Sequence, residues 1–182
     1  MNIQQPYCDS ALEHPLHRAY HDNEYGFPQT DDTVLFERLV LEINQAGLSW
    51  LCILKKRPAL QAAYAQFSID RVASMSDSQI ALCLHNPLIV RNQRKILAAV
   101  ANARVLLQLR QTHGSFYEWL MHWHPLSEAD WVRMFKRTFV FTGPQITREF
   151  LMSIGLLPGA HHCNCPIYHK IALLDPAWMS VT

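Results

Sequence analysis

Apolar residues in this chain recur at spacings of three and four and almost nowhere at two, a pattern that restricts it to helices packed on helices. Leu35, Phe36, Leu39, Val40 and Ile43 share one helical face, and Asp31 and Asp32 stand where an N-cap belongs. A shorter helix is expected from Ser49 to the basic run Lys55, Lys56 and Arg57, with Pro58 in the first turn of the next. Ser76 and Gln79 form a capping-box pattern for a helix ending near Leu84, before Asn86-Pro87 breaks it. The longest helix should run from about Gln93 to Gln111, burying Ile96, Leu97, Val100, Ala103, Leu106 and Leu107 and leaving Arg94, Arg104 and Arg110 mostly outside. Ser115 to Trp123 and Ser127 to Lys136 read as two short helices, and Gly143-Pro144 opens a last one that stops at Gly155. The one strand-like window, Thr138 to Phe141, is too short to carry a sheet, so the predicted class is all-α.

With 182 residues, 49% hydrophobic and only 17% charged, the chain can bury a sizeable core as one domain or two small lobes, and disorder is excluded. No window approaches the roughly 20 apolar residues of a membrane span, and Met1 to Tyr20 lacks the pattern of a signal peptide. A soluble, cytosolic protein is therefore expected. Five cysteines are an odd number for a disulfide framework, which favours metal ligands or buried thiols.

The formal charge of +1 hides a division. Residues 1 to 50 carry two basic against eight acidic side chains, whereas residues 51 to 150 carry thirteen basic against six acidic. Screening over roughly 8 to 10 Å keeps such patches separate, so the basic middle can attract phosphates although the total nearly cancels. Lys55, Lys56 and Arg57 alone read as a solvated helix end. The stretch LIVRNQRKI, Leu88 to Ile96, is more specific: Arg91, Arg94 and Lys95 lie where a tight connection enters the long helix, beside free backbone N–H groups. Such a turn grips phosphate without reading bases.

Two further constellations stand out. Cys8 and His21 near the N-terminus, with His161-His162-Cys163-Asn164-Cys165 near the other end, offer enough soft ligands for a tetrahedral zinc site that would staple the termini. On spacing alone, His21 in a polar turn with Asp22 and Asn23, and cysteines as small buried hydrophobes, explain the same residues. Glu42 is the second. It lies at the edge of an apolar helix face, with Trp50 following the break at Gly47 and Tyr20 and Tyr25 in the preceding acidic stretch. A carboxylate beside aromatic faces suits a flat cationic heterocycle, although on the pattern alone an ordinary amphipathic helix with a surface Glu and core aromatics is the preferred account.

The blocks HDNEYG at His21 to Gly26, FPQTDD, LFERLVLE, QAGLSW, LKKR, LIVRNQRKI, NAR at Asn102 to Arg104, FVFTG at Phe139 to Gly143 and the closing His161-x-x-x-Cys165 occur in this order. Together they resemble the bacterial 3-methyladenine DNA glycosylase I family, the constitutive Tag type, over nearly the whole chain from Cys8 to Cys165. The resemblance implies a helix-hairpin-helix glycosylase fold with the hairpin at about Pro87 to Arg94. It implies one structural zinc ion held by Cys8, His21, His161 and Cys165, with no open position for water. The family's base-contacting glutamate falls on Glu42, and its base-holding Tyr and Trp on Tyr20 and Trp50; Tyr25 is grouped with them as base-binding. Arg91, Arg94 and Lys95 would contact DNA. The whole chain, 1–182, would act as a single unit divisible into two helical lobes, residues 8–30 with 130–165 around the zinc and residues 31–125 around the hairpin. The implied activity is hydrolysis of the N-glycosidic bond of 3-methyladenine in alkylated double-stranded DNA by base flipping. Free 3-methyladenine would be the product, and the enzyme a bacterial cytoplasmic monomer without membrane contact. No Asp lies between Asp77 and Asp130, where many helix-hairpin-helix glycosylases carry one, which leaves Glu42 as the catalytic carboxylate.

The chain departs from the family pattern in several places. Ser10 stands where a Trp usually follows the N-terminal Cys, Ile43 and Asn44 replace small residues, and Val140 replaces a common Lys. The rival expectation is thus a zinc-containing relative that binds damaged DNA with altered or lost catalysis, or that excises a different alkylated base. A zinc hydrolase fails on ligand count, because four protein ligands leave no site for water.

Overall fold

A computed structural model describes residues 7–180, and among these there is no strand. The chain divides into two compact units, residues 1–29 with 148–182 and residues 30–147.

The larger unit begins with α3 (Asp32–Gln45), capped by the Asp31 carboxylate, which accepts from the Thr33 and Val34 amides. Every residue from Leu35 to Asn44 is buried, so this helix is central and not amphipathic. After a four-residue turn, α4 (Trp50–Ala63) starts at the Ser49 cap and runs unbroken through Pro58. The sequence expectation of two helices meeting at Pro58 is corrected here. The lost backbone hydrogen bond is tolerated because α4 packs on α3, buries Ile53, Leu54 and Leu60, and is fastened to α3 through the Arg57–Glu37 pair.

Short α5 (Ile69–Ala73) leads to α6 (Asp77–His85), whose capping box of Ser76 and Gln79 forms as expected. The longest helix, α7 (Gln93–His113), packs along α5 and also meets α3, α6 and α8 (Phe116–Trp123). Its buried face holds Ile96, Val100, Ala103 and Leu106 as expected, but Leu97 is exposed, and the polar Lys95 and Asn102 lie inside. Both have partners there. The Asn102 amide clamps the Val140 backbone, donating to its carbonyl at 3.0 Å and accepting from its N–H at 2.7 Å. Helices α8 (Phe116–Trp123) and α9 (Glu128–Thr138) close the unit around Phe116, Trp119, Trp131, Phe135 and Phe139, rings in edge-on or tilted contact. This aromatic cluster ties α9 to the larger unit, so the boundary falls within α10 (Pro144–Ser153), between residues 147 and 148, and not near residue 130.

The smaller unit contains α1 (Tyr7–Ser10), α2 (Pro15–Asn23) and α11 (Pro166–Ala172). Pro15 at the first position of α2 and the His14 ring accepting from the Leu16 amide start a helix that carries Tyr20 and His21. The polar turn expected around His21 is therefore helical up to Asn23. Ile167 and Ile171 of α11 pack with Cys165 against Cys8 and Phe27, which gives the segment after the last sequence block a place in this core.

Candidate functional site

The smaller unit brings Cys8, His21, His161 and Cys165 together, with their ligand atoms all within 4.8 Å of one another. His21 Nε2 lies 3.1 Å from His161 Nδ1 and 3.6 Å from the Cys165 Sγ; His161 Nδ1 lies 3.6 Å from the Cys8 Sγ and 3.8 Å from the Cys165 Sγ. Each imidazole uses its other nitrogen as a donor. His21 Nδ1–H points to the Asp22 carboxylate at 2.8 Å, and His161 Nε2–H to the Tyr25 carbonyl at 2.7 Å. In the neutral rings the two facing nitrogens then carry only lone pairs, and neither can donate to the other. A cation between them resolves that repulsion.

Burial keeps His161 below its ordinary range, in the neutral form that ligates, and pushes the Cys8 thiol up, so that a cation is needed to hold it as thiolate. The close approach also explains Gly26, whose φ is +83°: a Cβ there would come within 2.8 Å of the Ala160 Cβ and 3.2 Å of the His161 ring. Cys163, beside the cluster in sequence, is exposed and takes no part in it.

Glu42 lies inside the larger unit, only 5% exposed, in the last turn of α3. The sequence placed it at the edge of the apolar face; the all-round burial of α3 moves it inward. Trp50 is the first residue of α4 and is half-buried. Tyr20 and Tyr25 belong to the smaller unit, buried, with ring centroids 5.7 Å apart, and the Tyr25 hydroxyl donates to Glu149 at 3.1 Å. Burial raises the Glu149 carboxyl above its ordinary range despite this bond.

Between α6 and α7 runs a compact turn. Ile89 is buried at its centre, the Asn86 side chain accepts from the Leu88 amide, and Asn92 caps α7. Lys56 reaches across from α4 to the carbonyl of Leu88 at 3.0 Å. Arg91 and Arg94 are exposed at this turn, and the Arg94 guanidinium lies 5.6 Å from the centroid of the Phe141 ring. Lys95 is different. It is 4% exposed, and its ammonium donates to the carbonyls of Asn44 at 2.8 Å and Ala46 at 2.6 Å. The sequence reading of Lys95 as a phosphate contact is replaced by this internal pairing, because a buried ammonium with two carbonyl partners is not presented to solvent.

The arrangement is that of an all-helical protein with a buried carboxylate, a basic turn at a helix entrance and a Cys2His2 cluster. The chain belongs to the methyladenine glycosylase family, whose model matches residues 10–169. It is 33% identical over 180 residues to DNA-3-methyladenine glycosylase 1 of Escherichia coli K12, covering 88% of this chain and 96% of that one. It is 32% identical over 178 residues to the DNA-3-methyladenine glycosylase of Haemophilus influenzae, covering 87% and 96%. Among solved structures, a variant of 3-methyladenine DNA glycosylase I in complex with 3-methyladenine superposes with a TM-score of 0.82 at 30% identity, covering 88% of this chain and 96% of that one. The Staphylococcus aureus 3-methyladenine DNA glycosylase I gives 0.81 at 31%, covering 88% and 95%.

Proposed function

We propose that this protein is a monofunctional DNA glycosylase that releases 3-methyladenine from alkylated double-stranded DNA, with Glu42 as its recognition carboxylate. The burial of Glu42 within a helix buried on all sides carries the reading, since a carboxylate sequestered there is suited to a cationic partner. N3-methyladenine has a delocalised positive charge and a weakened glycosidic bond, so its departure needs little acid assistance. Flipping a damaged base out of the duplex costs a few kcal/mol and less than flipping an intact one. Glu42 accepts hydrogen bonds from the adenine edge and stabilises its charge, while water attacks the sugar C1′. Trp50 supplies a stacking face, Tyr20 keeps the base-holding role that the resemblance gives it, and Tyr25 is grouped with it as base-binding.

Arg91 and Arg94, exposed at the start of α7 beside its free N–H groups, hold phosphates and so position the duplex, the turn acting as the DNA-binding hairpin. Cys8, His21, His161 and Cys165 hold one structural zinc ion. A tetrahedral zinc with bonds of about 2.0 to 2.1 Å to nitrogen and about 2.3 Å to sulfur needs ligand separations of about 3.3 to 3.8 Å. Four of the six separations, at 3.1 to 3.8 Å, lie close to that range, and all six are within 4.8 Å. The Asp22 and Tyr25 partners fix both imidazole tautomers, as the outer contacts of a metal centre do. The ion would order the ends of the chain and take no part in the reaction.

Incubation with methylated duplex DNA, followed by chromatography of the released bases, tests the activity. Free 3-methyladenine without strand cleavage is expected; tight binding to abasic DNA with no released base would instead favour a damage-binding relative.

A further inference from the structure

A lysine is rarely spent on the interior, and Lys95 is spent on one place. It sits in the first turn of α7, immediately after the basic turn, and reaches the end of α3, 51 and 49 residues away in sequence. The last carbonyls of a helix have no intrahelical donor and carry its negative dipole end, so a buried ammonium there is both a hydrogen-bond donor and a charge of the right sign. Its two acceptors straddle the end of α3: Asn44 is two residues after Glu42, and Ala46 opens the turn that delivers Trp50. That turn has little else to hold it. Ala46, Gly47, Leu48 and Ser49 are exposed, Gly47 has φ +80°, and a Cβ there would touch nothing within 4 Å. The turn's own ties are the Leu48 amide to the Gln45 carbonyl at 2.6 Å, the Ile53 amide to the Ser49 carbonyl at 3.3 Å and the Ser49 cap on Cys52.

We propose that Lys95 is a positioning residue for base excision, pinning the α3–α4 turn to the first turn of α7 and so fixing Glu42 and Trp50 relative to the DNA-gripping hairpin. The inference rests on the base-binding reading of Glu42 and Trp50. Misplacement of a reacting group by about 1 Å can cost on the order of 100-fold in rate, so a loosened turn should be felt in turnover and not in duplex affinity. The same helix supplies a control. Arg104 of α7 donates from Nε to the Ala73 carbonyl at 2.9 Å, a comparable cap on the end of α5 that is remote in sequence from Glu42 and Trp50.

The experiment compares Lys95→Met, Arg104→Gln and Glu42→Gln with wild type, each at a temperature where circular dichroism shows it folded. It measures kcat and KM for 3-methyladenine release, together with the salt dependence of abasic-DNA binding. The expected result for Lys95→Met is a kcat lower by about 10-fold or more, in the direction of a misplaced group, with KM and the slope of log K against log salt unchanged. Arg104→Gln should retain kcat. If Lys95→Met does not fold, Lys95→Gln, which keeps an amide donor, takes its place. A kcat for the Lys95 variant equal to that of Arg104→Gln overturns the inference. So does a salt slope smaller in magnitude by about one, which would make Lys95 a phosphate contact. Loss of activity in Glu42→Gln with none at Lys95 overturns this inference alone; full activity in Glu42→Gln overturns the base-binding reading and the inference with it.

Discussion

His21 Nε2 and His161 Nδ1 face each other at 3.1 Å across 140 residues of sequence, each ring donating its remaining N–H elsewhere. Cys8 and Cys165 lie beside them, and the four side chains form a cluster that could hold a metal ion, for which zinc is the proposed occupant. Purified protein should therefore carry about one zinc ion, and Cys8→Ser should lose it by elemental analysis. With free metal at about 100 times its Kd, binding stabilises a fold by about 2.7 kcal/mol, so chelation should lower Tm by roughly 5 to 11 °C. Full zinc retention in Cys8→Ser would refute the ligand assignment.

Glu37 and Arg57 form a bidentate pair between α3 and α4, with both contacts at 2.9 Å, and Gln61 adds a third bond to the carboxylate. Burial alone would raise the Glu37 carboxyl, but these partners bring it below its ordinary range. Its contribution is therefore complete above about pH 4.5, the unfolded value, and is lost as pH falls through the lower folded value. Glu37→Gln should cost about 3 kcal/mol at pH 7 by leaving the Arg57 charge short of its partner. Denaturation curves between pH 7 and 3 should show a flatter acid limb for the variant; parallel limbs would contradict the assignment.

Arg91→Gln and Arg94→Gln should each weaken abasic-DNA binding and reduce the salt slope by about one, without preference for the sequence around the lesion. A changed sequence preference with an unchanged slope would argue for base contacts instead.

Asn102, itself fully buried, holds the half-exposed Val140 by two backbone bonds. Asn102→Ala leaves the Val140 N–H and C=O without this partner, at about 1 to 3 kcal/mol for each group that stays dry. Urea titration should register the loss as a lower midpoint with little change in slope; an unchanged midpoint would mean water replaces the amide.

Local signals predicted the capped helices well. The Asp31 and Ser76 caps, the long α7 and the breaks at Gly114 and Gly155 follow from side-chain chemistry within a few residues. The metal cluster was legible as a ligand inventory, but its closure depends on residues 140 apart that no local pattern joins. Pro58 and Lys95 show where sequence reasoning stops. A proline within α4 is tolerated only because long-range packing on α3 offsets the lost bond. A lysine in a basic turn looks like a phosphate ligand until the end of α3 is found at its tip. Asp22 was in view all along within HDNE, directly after the His21 ring it orients.

The central claim, that Glu42 is the carboxylate recognising the cationic base, is tested most directly by single-turnover release of 3-methyladenine from methylated duplex by wild type and Glu42→Gln. Loss of one preorganised electrostatic contact predicts a fall of about 100-fold or more in the variant, with abasic-DNA affinity retained. Equal rates in the two proteins would contradict the account.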